Sequence, residues 1–141
     1  SPVAVITDNA QSEAAQLASM VIAPELGPDV VAGYLNTKAA IAQKMILSMV
    51  TTGLAVRTGR VYSNLRVDLE ASSTQWAERQ IAIVMEAGGC TRAVAKAALE
   101  SCNHNCKTAV LMVLTGLDAW KAHELLAQNN GFIRVALQEA P

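Results

Sequence analysis

Two short apolar runs near the start of the chain restrict its fold more than any other feature. The runs "PVAVIT" and "SMVIAP" are rich in Val and Ile and are separated by "AQSEAAQLA", in which Ser12 can cap a helix. Runs of this kind are typical of parallel strands, and the segment between them predicts a strand, helix, strand unit. Two parallel strands leave two open edges, so we expect further strands from another part of the protein or from a partner chain.

The composition favours a folded chain with an aliphatic core. Hydrophobic residues make up 52% of the 141 residues against 16% charged and 4% aromatic, which indicates burial and not disorder. A net charge of -1 gives no indication of a nucleic-acid partner. Three cysteines without a paired framework indicate reduced thiols and a cytoplasmic setting. The first residues already look like the interior of a fold, so we expect the chain to be a fragment.

A long apolar segment follows a turn rich in Pro and Gly. We predict a helix over about residues 38–57, capped by Asn36 or Thr37 and ended by Gly59. Its apolar residues lie nearly all round the helix, so we expect it to be buried on most sides. The longest apolar run, "KMILSMVTTGLAV", is interrupted and too short to span a membrane, so we expect no membrane contact.

The segment after this helix has no clear period and precedes another helix. Polar and apolar residues are mixed in "GRVYSNLRVDLEASS". Beyond it, Ser72 and Gln75 fit a capping box at the start of a helix that Gly88 and Gly89 close.

The last third of the chain is predicted to form short helices with clear start and stop signals. Thr91, Asn105 and Asp118 can each cap a helix, and a final helix follows Gly131. In the first of these helices a buried stripe is predicted at Val94, Ala97, Ala98 and Cys102. The connecting loops are short, so we expect residues 86–141 to form a compact helical module.

Cys102, His104 and Cys106 lie within five positions of one another. Such a cluster raises the question of a zinc site or of a Cys-His nucleophile. Structural zinc takes four ligands, and the remaining candidates, Cys90 and His123, lie on separate elements. We therefore interpret the cysteines as packing residues, expect no metal site, and interpret the Asn-rich stretch as a turn between helices.

The stretch "GPDVVAGYLNTKAAIAQK" joins the end of a strand to the start of the long helix. Ligands bind at this position in open parallel sheets, and a helix N-terminus with a lysine favours an anion such as phosphate. Two interpretations of Lys38 stay open, a phosphate ligand and a solvated lysine on a first helical turn. The acidic candidates Asp29, Asp68 and Glu70 are interpreted as caps or solvated side chains.

Three long stretches of the chain together resemble one family. "GCTRAVAKAALESCNHNCKTAVLMVLTGLDAWKAHELLAQNNGFIRVAL" resembles a C-terminal helical module, and "QKMILSMVTTGLAVRTGRVYSNLRVDLEAS" is similar to the long helix and segment before it. "SPVAVITDN" and "SMVIAPELGPDVVAG" are similar to the last strands of an SIS domain. The chain thus resembles the C-terminal half of the N-acetylmuramic acid 6-phosphate etherases, members of the sugar isomerase (SIS) superfamily of phosphosugar-binding domains.

The resemblance implies an α/β fold in which helix predominates. Residues 1–57 would form the C-terminal part of an SIS-type parallel α/β sandwich, 58–85 a linking segment and helix, and 86–141 an all-α, UBA-like three-helix module. The implied activity is cytoplasmic cleavage of the D-lactyl ether of N-acetylmuramic acid 6-phosphate during cell-wall amino sugar recycling. The products would be N-acetylglucosamine 6-phosphate and D-lactate. The resemblance also implies a homodimer and no cofactor or metal.

The resemblance places binding of the phosphorylated amino sugar at Gly33, Asn36 and Lys38. It places both catalytic glutamates in the upstream half of the SIS domain, so no catalytic residue is expected in this chain. Where the family has Ser-Thr-Arg after the glycine, this chain has Tyr34, Leu35 and Asn36, and Tyr and Leu cannot supply the same donors. A noncatalytic phosphosugar-sensing regulator, similar to the glucokinase regulatory proteins, and a pure interaction module therefore stay open as alternatives.

Overall fold

Helices predominate in the computed structural model, which describes residues 1–31 and 36–140, and 57% of these described residues are helical. A small parallel sheet makes the fold consistent with the predicted α/β class. In chain order the elements are β1 (Ala4–Ile6), α1 (Glu13–Leu17), β2 (Met20–Ile22), α2 (Thr37–Arg57), β3 (Val61–Tyr62), β4 (Leu65–Arg66), α3 (Thr74–Gly88), α4 (Arg92–Ser101), α5 (Cys106–Thr115), α6 (Ala119–Gln128) and α7 (Ile133–Glu139).

The predicted strand, helix, strand unit is confirmed. β1 and β2 pair in parallel, with Val5 opposite Val21. The hydroxyl of Ser12 caps α1 by accepting from the backbone N–H of Ala15 at 3.3 Å, as predicted. In the described part of the chain no third strand joins this sheet, so both of its edges are unpaired.

α2 begins within one residue of the predicted start and ends at the predicted Arg57. The prediction that it is buried was wrong, because none of its residues is buried and Leu47 is 54% exposed. The expectation about length was also wrong, since the whole helix is long and apolar enough to cross a membrane by length and composition alone. The core helix of a soluble protein passes the same test, so this property does not decide the environment of α2.

The chain divides into two compact units, residues 1–53 and residues 54–141, which we call the N-terminal unit and the C-terminal unit. In the C-terminal unit α5 packs against α3, α4, α6 and α7 and is therefore the central helix. The largest fully buried apolar side chains all lie in this unit: Leu99, Leu111, Val67, Val84, Val110 and Cys106.

α3 and α5 approach each other closely at Gly88. A Cβ added to Gly88 would lie 2.5 Å from Cγ1 of Val113, which is closer than real side chains come. Glycine is therefore what permits this contact between the two helices. Gly89 then ends α3 with a φ of 60°, the left-handed conformation that favours glycine.

The start of α3 differs from the prediction by one residue. The hydroxyl of Ser73 accepts from the backbone N–H of Trp76 at 3.4 Å, so Ser73 is the cap and the predicted box of Ser72 with Gln75 was wrong. Neighbouring serines have the same capping chemistry, and the local sequence does not distinguish them.

The buried side of α4 also differs from the predicted stripe. Ala95, Ala98 and Leu99 are buried, whereas Val94 is 48% exposed and Ala97 is exposed. Alanine occurs all round this helix, so more than one face satisfies the spacing, and the packing partners α3 and α5 select the face that is buried.

Two of the three predicted caps in the helical region form side-chain hydrogen bonds. Asn105 accepts from the backbone N–H of Thr108 at 3.0 Å, and Asp118 accepts from that of Lys121 at 2.8 Å. Thr91 occupies the N-cap position of α4, but its side chain makes no capping bond.

β3 and β4 form an antiparallel hairpin that the sequence analysis did not predict. Tyr62 lies opposite Leu65, and the turn between them is Ser63-Asn64, with Ser63 at a φ of 55°. Leu65 and Val67 are buried in the core of the C-terminal unit and anchor the hairpin there.

Gln80 is a fully buried polar residue of α3. Its Nε2 donates to the carbonyl oxygens of Leu69 at 2.6 Å and His104 at 3.0 Å. Its Oε1 is buried and has no hydrogen-bond partner among the described residues. One side chain thus ties the chain leaving the hairpin to the turn between α4 and α5.

Candidate functional site

A cavity of about 500 Å³ lies in the N-terminal unit, beside the carboxyl ends of the two parallel strands. It is lined by Asp8, which follows β1, by the 25–29 loop, which follows β2, and by residues at the start of α2. This is where open parallel sheets bind ligands, because the loops leaving the strands meet at the same edge. The structure therefore places a cavity at the strand ends that the sequence analysis singled out.

Lys38 lines this cavity and holds the loop that precedes α2. Its Nζ donates to the carbonyl oxygens of Pro28 at 2.6 Å and Leu26 at 3.1 Å. An ammonium group has three N–H donors, so these bonds leave one donor for a ligand. Lys38 is thus a residue that shapes the loop, with limited capacity to hold a phosphate by itself.

Asp29 occupies the N-terminus of α2. Its Oδ1 accepts from the backbone N–H of Lys38 at 3.3 Å, so the interpretation of Asp29 as a cap is confirmed. Neither Asn36 nor Thr37 makes this bond, and the cap comes from a residue nine positions earlier in the chain. A carboxylate at a helix N-terminus occupies the position in which an anionic ligand would be favoured.

The described lining of the cavity is acidic. Asp8, Glu25 and Asp29 contribute three carboxylates around the single ammonium group of Lys38. A phosphate would meet repulsion here unless other parts of the protein supply further donors. This part of the site is therefore better suited to contacting hydroxyl or amide groups of a sugar than to holding a phosphate alone.

The predicted binding residues are brought together in part. Asn36 is exposed, has a φ of 41° and lines the cavity with Lys38. Gly33 lies outside the described residues, as do Tyr34 and Leu35.

The two cysteines of the Asn-rich stretch are packing residues, as interpreted from the sequence. Cys106 is 2% exposed, and burial raises the pKa of its thiol to about 12, with a smaller contribution from Cys102. Burial also raises the pKa of the half-buried Cys102. Thiols that stay protonated near neutral pH are poor nucleophiles and poor metal ligands.

His104 belongs to the turn between α4 and α5. It follows Asn103, and both residues have a positive φ, 57° and 53° respectively. Its backbone N–H donates to the carbonyl oxygen of Leu99 at 2.8 Å. Within residues 1–31 and 36–140, no group of three or more His, Cys, Asp and Glu side chains is placed to hold a metal ion.

Asp68 is an ion-pair partner at the base of the hairpin. It lies 2.7 Å from Nε of Arg66 and 3.6 Å from Nε of Arg60. The hydrogen bond from Arg66 to Asp68 raises the pKa of this arginine. Asp68 therefore pairs with two arginines within the C-terminal unit. Glu70 is an exposed side chain, in agreement with its interpretation as solvated.

A second cavity, of about 380 Å³, lies in the C-terminal unit and was missed by the sequence analysis. It is lined by residues 62–65 of the hairpin, by Glu86 and Ala87 of α3 and by Arg134 of α7. The available sequence signal was the pair Ser63-Asn64. It lies between Val61-Tyr62 and Leu65-Arg66, and Val and Tyr favour strands, so the stretch is compatible with a two-residue hairpin turn.

Comparison with known proteins gives a consistent result over almost the whole chain. A scan against protein-family models finds no match. The chain is 52% identical to a protein of Klebsiella aerogenes over 135 residues and 49% identical to one of Aliivibrio fischeri (strain MJ11) over 137 residues. It is also 49% identical to a protein of Edwardsiella ictaluri (strain 93-146) over 134 residues. All three relatives are named N-acetylmuramic acid 6-phosphate etherase.

These matches cover 96%, 97% and 95% of this chain, but 45%, 46% and 45% of the respective relatives. The chain therefore spans about half the length of the curated relatives that it matches. The matched part of those relatives is their C-terminal half. At about 50% identity over nearly all of its residues, the chain is similar to the C-terminal half of these N-acetylmuramic acid 6-phosphate etherases.

Proposed function

We propose that this chain is the C-terminal half of an enzyme that cleaves the D-lactyl ether of N-acetylmuramic acid 6-phosphate. The products are N-acetylglucosamine 6-phosphate and D-lactate, formed in the recycling of cell-wall amino sugars. The observation that carries the proposal is the identity of about 50%, over nearly the whole chain, to relatives with this name. Such reactions need a general acid and a general base, and both glutamates are assigned to the upstream half.

The cavity at the strand ends supports a substrate-binding role for this half. We assign substrate contacts to Asn36, Lys38 and Gly33. The acidic lining favours contacts with sugar hydroxyl groups, and we assign binding of the phosphate to loops of the upstream half. No cofactor or metal takes part in this assignment.

We assign residues 1–57 to the end of an SIS domain, 58–85 to a linking segment and helix, and 86–141 to a UBA-like module. Two exposed features support the proposal that an upstream half of the SIS domain packs against this chain. Both edges of the parallel sheet are unpaired among the described residues, and α2 is apolar but has no buried residue. The upstream half of the SIS domain would pair with the strands, and it would cover α2 together with the twin subunit of a homodimer.

The same assignment treats α2 as an internal helix of a soluble, cytoplasmic protein that has no membrane or nucleic-acid partner. Its exposed apolar side chains would then face protein and not lipid.

A noncatalytic phosphosugar-sensing regulator is a second candidate. Tyr34, Leu35 and Asn36 replace the Ser-Thr-Arg of the family pattern, which removes donors beside the expected ligand. Two of the three donors of Lys38 are also already bonded to backbone carbonyls. Both observations favour weaker phosphate binding than a full set of donors would give.

An activity assay on the full-length protein that contains this chain separates the two candidates. The etherase predicts release of D-lactate from N-acetylmuramic acid 6-phosphate, measured with D-lactate dehydrogenase. The sensor predicts binding of N-acetylglucosamine 6-phosphate by calorimetry without release of D-lactate. A protein that neither binds N-acetylglucosamine 6-phosphate nor releases D-lactate would contradict both candidates.

Substitution of Lys38 tests the assigned site in the same protein. Loss of a charged hydrogen-bond donor predicts that Lys38→Ala weakens binding of N-acetylglucosamine 6-phosphate about tenfold or more. Lys96→Ala, which removes an exposed lysine of α4, is the matched control and should leave the affinity unchanged. Unchanged affinity in Lys38→Ala would mean that this lysine serves the loop alone.

A further inference from the structure

The cavity beside the hairpin turn lies within the C-terminal unit and takes no part in the function proposed above. It opens between the Ser63-Asn64 turn, the last turn of α3 and the first turn of α7. Its volume of about 380 Å³ falls within the range of small-molecule sites. Leu65 and Ala87 supply its apolar part, and the rest of its lining is polar.

Every polar side chain that lines this cavity is without a partner. Five side chains make no hydrogen bond or ion pair with any other described residue, namely Tyr62, Ser63, Asn64, Glu86 and Arg134. Unpaired arginines also occur at exposed positions such as Arg57 and Arg79, but neither of these lines the cavity. Four of the five residues are exposed and Tyr62 is half-buried, and what distinguishes them is that they line one concave surface together.

Both charges of the cavity lie at the unfavourable ends of their helices. Glu86 lies in the last turn of α3, where the helix dipole favours a cation. Arg134 lies in the first turn of α7, where the dipole favours an anion. In the described part of the chain, neither Glu86 nor Arg134 forms an ion pair that would offset this placement. Placement against helix electrostatics is expected where a residue serves a ligand and not the fold.

The elements that carry these groups are firmly anchored. Leu65 and Val67 bury the hairpin in the core, and the backbone N–H of Val67 donates to the carbonyl oxygen of Arg60 at 2.9 Å. Ile133 and Ala136 bury α7 in the same core. The polar side chains therefore project from backbone that needs little rearrangement to receive a ligand.

The chemistry of the lining defines the class of ligand. The guanidinium of Arg134 suits a carboxylate or a phosphate, to which it can donate two parallel hydrogen bonds. The carboxylate of Glu86 accepts from ammonium or hydroxyl groups, and the amide of Asn64 can do both. One cation and one anion leave the lining without net charge, so a ligand with separated anionic and donor groups fits better than a simple anion.

We propose that this cavity is a second binding site, which takes a small molecule with an anionic group at one end and ammonium or hydroxyl donors at the other. Arg134 binds the anionic group, Glu86 and Asn64 bind the donors, and Ser63 and Tyr62 complete the rim. The site is independent of the etherase proposal, because none of its residues belongs to the cavity at the strand ends.

Two probes distinguish the sources of such a ligand. Glucosamine 6-phosphate combines a phosphate with ammonium and hydroxyl groups, and alanine combines a carboxylate with an ammonium group. Each is titrated into the 141-residue chain while amide shifts are followed by NMR. We expect one probe to shift the amides of residues 62–65, 86, 87 and 134, with inorganic phosphate and N-acetylglucosamine binding at least tenfold more weakly. Shifts by inorganic phosphate equal to those by both probes, shifts elsewhere alone, or no shifts would overturn the proposal.

Charge reversal separates binding from a structural role. Arg134→Glu should abolish binding of the active probe while leaving Tm unchanged or raised, because an acidic residue suits the start of α7. Glu86→Gln should weaken binding and should likewise not lower Tm. Arg92→Ala, an exposed arginine that does not line the cavity, should keep full binding. A lower Tm in Arg134→Glu, or retained binding in that variant, would overturn the assignment of Arg134.

Discussion

Helices α2 and α5 are both apolar nearly all round, yet they lie in opposite environments. α5 is the centre of the C-terminal unit, and four other helices surround it. α2 is twice as long and has no buried residue. Composition determines that both helices need cover, but only the presence of neighbours determines whether they receive it.

The same contrast holds for the two units as wholes. Among the described residues of the N-terminal unit, Ala15 is the one buried apolar residue, whereas the C-terminal unit has a continuous core. We expect the C-terminal unit to supply the stability of this chain, while the apolar surface of the N-terminal unit is available for association. The following experiments test this difference, beginning with the largest effect.

Leucine truncation on the two helices should give very different results. Leu111 is 0% exposed, so Leu111→Ala should lower the free energy of unfolding by about 2–5 kcal/mol. Leu47→Ala on α2 should change it by less than about 0.5 kcal/mol. Urea unfolding followed by circular dichroism measures both values. Equal losses would show that α2 is covered in solution and would remove the contrast.

Gln80 tests whether the C-terminal unit also depends on buried polar contacts. Gln80→Met removes the bonds to Leu69 and His104 and leaves two carbonyl groups without this donor, so we expect a loss of about 1–3 kcal/mol. The same substitution at the exposed Gln128 is the control. A neutral result at Gln80 would mean that removing its unpaired Oε1 compensates for the lost bonds.

Helix caps offer a smaller test within the C-terminal unit. Asn105→Ala removes the hydrogen bond to the N–H of Thr108 and should cost about 1 kcal/mol. Thr91→Ala removes a residue at the same helical position that makes no such bond, and it should be nearly neutral. Similar losses in the two variants would show that the hydrogen bond is not what stabilises α5.

Acid titration gives the smallest expected effect. The backbone N–H of Lys121 holds the pKa of Asp118 below its usual range. The cap is therefore fully present above the ordinary carboxyl value of about 4 and is lost as the pH falls through the lowered pKa. Tm measured from pH 5 to pH 2 should fall less steeply in Asp118→Asn, which keeps a capping group that does not titrate. Identical slopes would show that Asp118 contributes nothing to the acid response.

Local signals predicted much of this fold. The caps Ser12, Asn105 and Asp118 were found from the sequence because each accepts from a backbone N–H only three residues away. The strand pair followed from the Val and Ile runs. Local chemistry did not separate Ser72 from Ser73, because both can form the same bond.

Features that depend on distant partners could not be predicted. The buried face of α4 depends on α3 and α5, so Val94 was assigned to the wrong side. The position of the candidate site could be predicted from the parallel strands. The hydrogen bonds from Lys38 to the carbonyl oxygens of Leu26 and Pro28 could not, because they depend on the folded conformation of the loop. The hairpin turn has no glycine, so the pair Ser63-Asn64 was only a weak sequence signal for the positive φ at Ser63.

The contact between Gly88 and Val113 has a consequence for how this sequence can diverge. Any side chain at position 88 would occupy the space of the Val113 methyl group, so the two positions are not independent. A homologue with alanine at position 88 should carry a smaller residue, such as Ala or Gly, at position 113. The geometry of one helix crossing thus predicts a pair of positions that must change together.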